Sequence, residues 1–161
     1  MQNEEPNQNI IEELIALFNK KEFNRVINLI DGILKKKPNS ILVNNILGAS
    51  YTELKKYSLA KKTFIKITKL SPKFVDGHYN LANIYKILGQ EDMAIESYNK
   101  VIELDKNYYK AYNNLGNIFR NKDQKKRALE YYIITLLETM TIGEVENIQK
   151  YSFDELWNML W

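Results

Sequence analysis

Apolar residues in this chain return at helical spacing in short blocks separated by polar turns. Over 41–53, Leu42, Ile46, Leu47 and Tyr51 fall on one helical stripe. Lys55 and Lys56 interrupt it, and Leu59, Ala60, Phe64, Ile67 and Leu70 then take it up again. This pattern predicts two helices joined by a short turn, and the pair repeats along the chain. Pro38 and Pro72 lie 34 residues apart, and so do Leu47, Leu81 and Leu115; Gly48, Ala82 and Gly116; Tyr51, Tyr85 and Phe119; Ala60, Ala94 and Ala128; and Phe64, Tyr98 and Tyr132. Each proline follows a second helix, where its missing N–H and its constraint on the preceding residue end the helix. The small residues predict close helix crossings, and the large aromatics are expected to fill the space between neighbouring hairpins.

Fixed-period self-similarity of this kind marks a stacked helical array. The recurring Leu, Gly/Ala, Tyr/Phe, Ala, aromatic and Pro positions resemble the 34-residue tetratricopeptide repeat (TPR). The resemblance implies an all-α, right-handed TPR solenoid of about four helix-turn-helix hairpins plus a C-terminal capping helix. Copies at 41–74, 75–108 and 109–140 match, and 8–40 reads as a degenerate first copy through Phe23, Val26, Ile30, Ile33 and Pro38. Its first helix fits two registers, because Ile11, Leu14, Ile15, Leu17 and Phe18 suit either. Lys106 and Met140 stand where proline is expected, and Thr135 replaces an apolar packing residue, so the copy at 109–140 is the loosest. The array is expected over 10–140, preceded by a disordered polar tail at 1–9 and followed by capping helices at 141–161. Thr141 with Glu144 and Ser152 with Glu155 have capping-box spacing for two short helices.

The resemblance also implies that the first helix of each hairpin lines a concave groove. The groove positions then hold Asn45 and Thr52 in one copy and Asp76, Tyr79, Asn80, Asn83 and Lys86 in the next. The following copy supplies Lys110, Asn113, Asn114, Asn117 and Arg120. Asparagine is a poor helix former, so its repetition inside helices needs a reason. A carboxamide both donates to a peptide carbonyl and accepts from a peptide N–H, so a ladder of amides can hold an extended backbone. Asn80 and Asn114 resemble the asparagine ladder in the TPR superhelix of O-linked N-acetylglucosamine transferases. A plainer reading, in which the amides cap local backbone and bind water, stands beside it. The dicarboxylate clamp of chaperone-binding TPR domains is matched only at Asn80 and Lys110; Asn45, Ala49 and Asn114 depart from it. Lys86, Lys110 and Arg120 still bias the groove toward acidic peptides.

Composition adds exclusions. The 161 residues are 45% hydrophobic and 27% charged, as in an ordinary globular chain. A net charge of +3, from 23 basic and 20 acidic residues, is too balanced to imply nucleic acid or an anionic membrane as the main partner. Cysteine is absent, which excludes disulfides, thiolate metal sites and cysteine nucleophiles and fits a cytoplasmic location. No signal-peptide pattern or membrane span is read from the sequence. His78 is the only histidine and reads as a packing residue. No phosphate loop, catalytic triad or paired-carboxylate arrangement is present, so no enzyme, cofactor or metal is expected. The runs Lys35-Lys36-Lys37 and Lys125-Lys126-Arg127 fall at helix ends, where cations offset the helix dipole or lie in solvent.

The C-terminal segment stands outside the repeat. Phe153, Trp157 and Leu160 share one face of a predicted helix. That face either seals the end of the solenoid or enters a partner's groove. The expected function is a protein–protein interaction scaffold that binds an extended peptide. Two alternatives are the N-terminal scaffold of a larger transferase, or a structural module that self-associates through the C-terminal Phe153/Trp157/Leu160 helix; a monomer or a weak homodimer through that helix is expected.

Overall fold

A computed structural model describes residues 5–137 and 151–160, leaving out the side chains of Leu137, Phe153, Met159 and Leu160. The expected Thr141–Glu144 capping box, and the side chains of Phe153 and Leu160, lie outside the described residues. The described residues are helical hairpins in tandem: α1 (Gln8–Asn19) with α2 (Phe23–Lys36), α3 (Ile41–Glu53) with α4 (Tyr57–Leu70), α5 (Val75–Ile87) with α6 (Glu91–Leu104), and α7 (Tyr109–Asn121) with α8 (Lys125–Leu137). A short α9 (Phe153–Leu160) follows. The fold class is all-α, as the periodicity predicts. The chain divides into two compact units, one through Ser97 and one from Tyr98.

Each first helix ends in the same turn. The last residues of α3 are closed by Lys55 N–H donating to Thr52 O at 2.9 Å and Lys56 N–H donating to Tyr51 O at 2.8 Å. These paired bonds form a Schellman motif, whose pivotal residue must be left-handed. The same bonds recur at Lys21 and Glu22, at Gly89 and Gln90, and at Asp123 and Gln124. The pivots Lys21, Lys55, Gly89 and Asp123 all have positive φ and stand 34 residues apart. Only Gly89 is the residue type that adopts this region without strain.

In the first unit α3 packs on α2 and α4, α4 on α5, and the first helices meet in sequence, α1 with α3 and α3 with α5. Leu14, Val26, Ile30, Val43 and Leu47 form a fully packed cluster. Leu14 is completely buried while Ile15 is 46% exposed, which settles the register of α1. Ala60, Ala94 and Ala128 are buried without remainder. Leu42 and Leu59, which fit the helical stripe, are exposed instead.

The aromatics also pack within their own hairpins. Phe64 lies over Gly48 of its own hairpin, where an added Cβ would stand 2.6 Å from the ring. In the second unit Tyr132 covers Gly116 in the same way, at 2.7 Å. The small residue therefore makes room for a ring of its partner helix rather than for the buried alanine. The tight crossing between hairpins falls at Gly77, whose missing Cβ would meet Ile67 at 2.8 Å.

The connections between repeats share a second device. Asn44, 2% exposed, donates Nδ2 to the carbonyl of Pro38 at 3.1 Å and to that of Ser40 at 2.6 Å. Thirty-four residues on, His78 bonds through Nε2 to the carbonyl of Pro72 at 2.9 Å. Two unlike side chains at one repeat position thus tie down the carbonyl of the proline that ends the preceding repeat. Lys66 completes the first knot, donating to Pro38 O at 2.5 Å and to Asn44 Oδ1 at 3.2 Å.

Burial also sets the response to alkali. Tyr51, Tyr85, Tyr112, Tyr131 and Tyr132 have phenol pKa values raised above the usual 10.0, with desolvation the largest cause in each. Above pH 10.0 the folded chain therefore keeps phenolic protons that the unfolded chain has lost, and stability falls as pH rises through the raised values. Lys66 and Lys86, lowered below 10.5 by desolvation, act in the opposite sense as pH climbs toward 10.5. Of these seven groups, five act one way and two the other. The urea midpoint followed by circular dichroism is expected to decline once the pH passes about 10; a midpoint that rises there would contradict it.

Candidate peptide-binding site

The layer formed by α1, α3 and α5 carries the first half of the sequence-predicted site. Asn45 leaves α3 and Asn80 leaves α5, and the two amides meet: Asn80 Nδ2 donates to Asn45 Oδ1 at 3.1 Å. This bond uses one of the two Asn80 donors and one lone pair of the Asn45 oxygen, so each carboxamide keeps capacity for a further partner. Both residues are half-buried. Next to Asn45, a cleft of about 110 Å³ opens between α1 and α3, lined by Ile15, Phe18, Asn45, Ile46 and Ala49. An apolar slot edged by a paired amide can seat an aliphatic side chain while hydrogen-bonding the adjacent backbone. Sequence reasoning missed Ile15, Phe18, Ile46 and Ala49 as site residues. The double register of α1 was the available signal, since Ile15 is the apolar residue left over when Leu14 takes the core.

The other residues predicted on α5 are Asp76, exposed in its first turn, and Tyr79, Asn83 and Lys86. Tyr79 and Asn83 are half-buried and Lys86 is exposed, and each interacts with neighbouring groups. Desolvation lowers the pKa of the Lys86 ammonium although the residue as a whole is exposed.

The second unit carries Lys110, Asn113, Asn114, Asn117 and Arg120 on α7. Lys110 and Asn113 are exposed and the others half-buried. Asn117 donates Nδ2 to Asn113 Oδ1 at 3.1 Å and accepts from the hydroxyl of Tyr132 at 3.0 Å. Asn117 thus helps fix the ring that covers Gly116. Asn114 and Arg120 interact with neighbouring groups. Behind this face, Tyr131 stacks on Phe119 with centroids 5.4 Å apart and planes 5° from parallel. Tyr112 lies 6.3 Å from Tyr131, and the Arg127 guanidinium sits 5.3 Å above Phe119.

The helix α9 starts on the predicted capping box. Ser152 N–H and Oγ both reach Glu155 Oε2 at 2.7 Å, and Glu155 N–H returns to Ser152 Oγ at 3.4 Å. These bonds hold the exposed Glu155 carboxyl below its ordinary pKa. α9 packs against α8, with Trp157 half-buried and 5.7 Å beneath the Lys125 ammonium. Among the described residues, no cluster of His, Asp and Glu is arranged to hold a metal ion, and no helix is long and apolar enough to cross a membrane.

Comparison with known proteins returns one family. Models described as "Tetratricopeptide repeat" match residues 43–74, 75–108 and 97–130, together more than half of the chain. No curated protein sequence matches significantly. Among solved structures, MamA is similar over 88% of this chain and 80% of its own, at 21% identity and a TM-score of 0.75. MamA 41-end from Desulfovibrio magneticus RS-1 is similar over 88% of this chain and 76% of its own, at 26% identity and a TM-score of 0.73. The MamA RS-1 ArsTM double mutant gives 26% identity over 89% and 76%, with a TM-score of 0.73.

Proposed function

Since this chain belongs to the tetratricopeptide-repeat family and is a protein-interaction scaffold, we propose that it binds an extended peptide along the faces of its first helices. The observation that carries this reading is the amide pair Asn45–Asn80 beside the apolar cleft of α1 and α3. A guest side chain enters the cleft, and its backbone exchanges hydrogen bonds with the two carboxamides. On the second unit Asn113 and Asn114 offer the same chemistry from α7, with Lys110 and Arg120 favouring a guest that carries acidic residues. The scaffold works without catalysis and acts in the cytoplasm. The contact of Trp157 with Lys125 supports α9 as a cap on its own unit rather than as a helix offered to a partner.

The test is capture of peptides from a lysate, identified by mass spectrometry, by the wild-type chain and by Asn80→Ala/Asn114→Ala. The double variant should keep its helical circular dichroism and its cooperative melt, because both side chains are only half-buried. Each loses about 1 kcal/mol of hydrogen bonding to the guest, so capture of the wild-type set is expected to fall more than about tenfold. Undiminished capture by the folded double variant would sink the reading.

A further inference from the structure

The N-terminal end of the first unit holds a carboxylate niche that is already filled. Glu5 precedes α1 in non-helical chain, and its side chain reaches the first turn of α3. Glu5 Oε1 accepts from the backbone N–H of Ile41 at 2.9 Å and, at the edge of hydrogen-bond range, from that of Leu42 at 3.4 Å. Glu5 Oε2 accepts from the hydroxyl of Ser40, a residue only 2% exposed, and Lys37 Nζ donates to the Glu5 main-chain carbonyl at 2.7 Å. Ser40 Oγ in turn accepts from Val43 N–H at 3.2 Å, so the hydroxyl is fixed with its proton aimed at the carboxylate. Main-chain N–H groups at the positive end of a 13-residue helix and a locked hydroxyl make a built carboxylate site, with the Lys37 ammonium on the adjoining main-chain carbonyl.

An apolar groove of about 600 Å³ continues from this niche. Pro6 forms one wall; Ile10 of α1 and Leu29, Gly32 and Ile33 of α2 form the others, with Lys36 at the rim. Gly32 has no atom within 4 Å of where a Cβ would stand, so a guest backbone can lie directly on α2 there. Among the described residues no acidic side chain lines the groove, while Lys36 and Lys37 do. The groove is far larger than the single proline ring that borders it.

We infer that this end of the chain is a second peptide-binding site, separate from the amide face, for an acidic segment whose carboxylate is followed directly by an apolar residue, as Glu5 is by Pro6. Glu5, Pro6 and Asn7 hold the site in cis and compete with the incoming segment. Nothing in the niche depends on the carboxylate being attached to the same chain: its donors recognise two oxygens and a neighbouring carbonyl. A tethered competitor acts at an effective concentration in the millimolar range. The wild-type chain is therefore a weak binder until the arm is displaced.

The probe is a fluorescein-labelled synthetic peptide with the sequence of residues 1–9, which carries Glu5 and Pro6, titrated into the full chain and followed by anisotropy. Glu5→Ala in the protein empties the niche, and the peptide is expected to bind it at least about tenfold more tightly than wild type, the equivalent of one charge-assisted hydrogen bond. Glu5→Gln, which keeps the side-chain volume, should fall between the two. A peptide with glutamine for both Glu4 and Glu5 should lose the gain. Asn80→Ala/Asn114→Ala should leave it unchanged, which separates this site from the amide face. Equal affinity for wild type and Glu5→Ala, equal affinity for the two peptides, or no binding to Glu5→Ala would each overturn the proposal.

Discussion

Phe64→Ala is expected to destabilise the chain by about 3–5 kcal/mol. The ring is 1% exposed and lies against Gly48, so its removal takes away both its transfer free energy and the atoms that close the crossing of α3 and α4. The informative experiment is a double-mutant cycle with Gly48→Ala. Alone, Gly48→Ala drives a Cβ to 2.6 Å from a ring with nowhere to go, and should cost about 1–3 kcal/mol. In the Phe64→Ala background the same methyl enters vacated space, and the helix gains about 1 kcal/mol from alanine over glycine. The substitution should therefore change sign. Urea denaturation of the four proteins gives the coupling energy directly. If Gly48→Ala costs the same in both backgrounds, the ring is not what demands glycine there.

Asn44→Leu is the second large effect. It deletes two donors to the Pro38 and Ser40 carbonyls and the acceptor of one Lys66 bond, and it leaves a partly desolvated ammonium beside a leucine. Unmet buried polar groups of this kind cost about 1–3 kcal/mol each. Lys66 retains Pro38 O, so a total of about 2–4 kcal/mol is expected. That corresponds to a melting temperature lower by roughly 4–16 °C at about 2–4 °C per kcal/mol for a chain of this size. An unchanged melting temperature for Asn44→Leu would show that the amide does not hold the connection between the repeats.

The 34-residue recurrence made the hairpins, their boundaries and the buried glycine and alanine positions legible from sequence. It registers residue types that repeat. Asn44 and His78 escaped it because they do one job with different side chains: both present a donor at the right height above a proline carbonyl, and donor chemistry is not visible as shared size or polarity. The placement of Phe64 escaped for another reason. A ring that recurs with a glycine fits packing within a hairpin as well as between hairpins, and only the crossing geometry shows the contact with Gly48. The candidate site was half legible. The amides on the first helices could be numbered, but the Asn45–Asn80 bond and the use of Asn117 to hold Tyr132 depend on distances. The cleft beside Asn45 needed α1, whose register the pattern left double. The role of Glu5 was unreadable, since its partners lie more than thirty residues away in sequence.

The left-handed pivots at Lys21, Lys55, Gly89 and Asp123 bear on how such a chain drifts. The period is kept by the main chain: the pair of carbonyl bonds and one reversed dihedral fix where the second helix must start, whichever side chain rides on the pivot. Lysine and aspartate cost about 1–2 kcal/mol there relative to glycine, a penalty small enough for neighbouring contacts to absorb. Substitutions can therefore accumulate at the bend while the spacing of the array stays in step. The repeat whose terminal proline has become Lys106 keeps its place in the count for that reason.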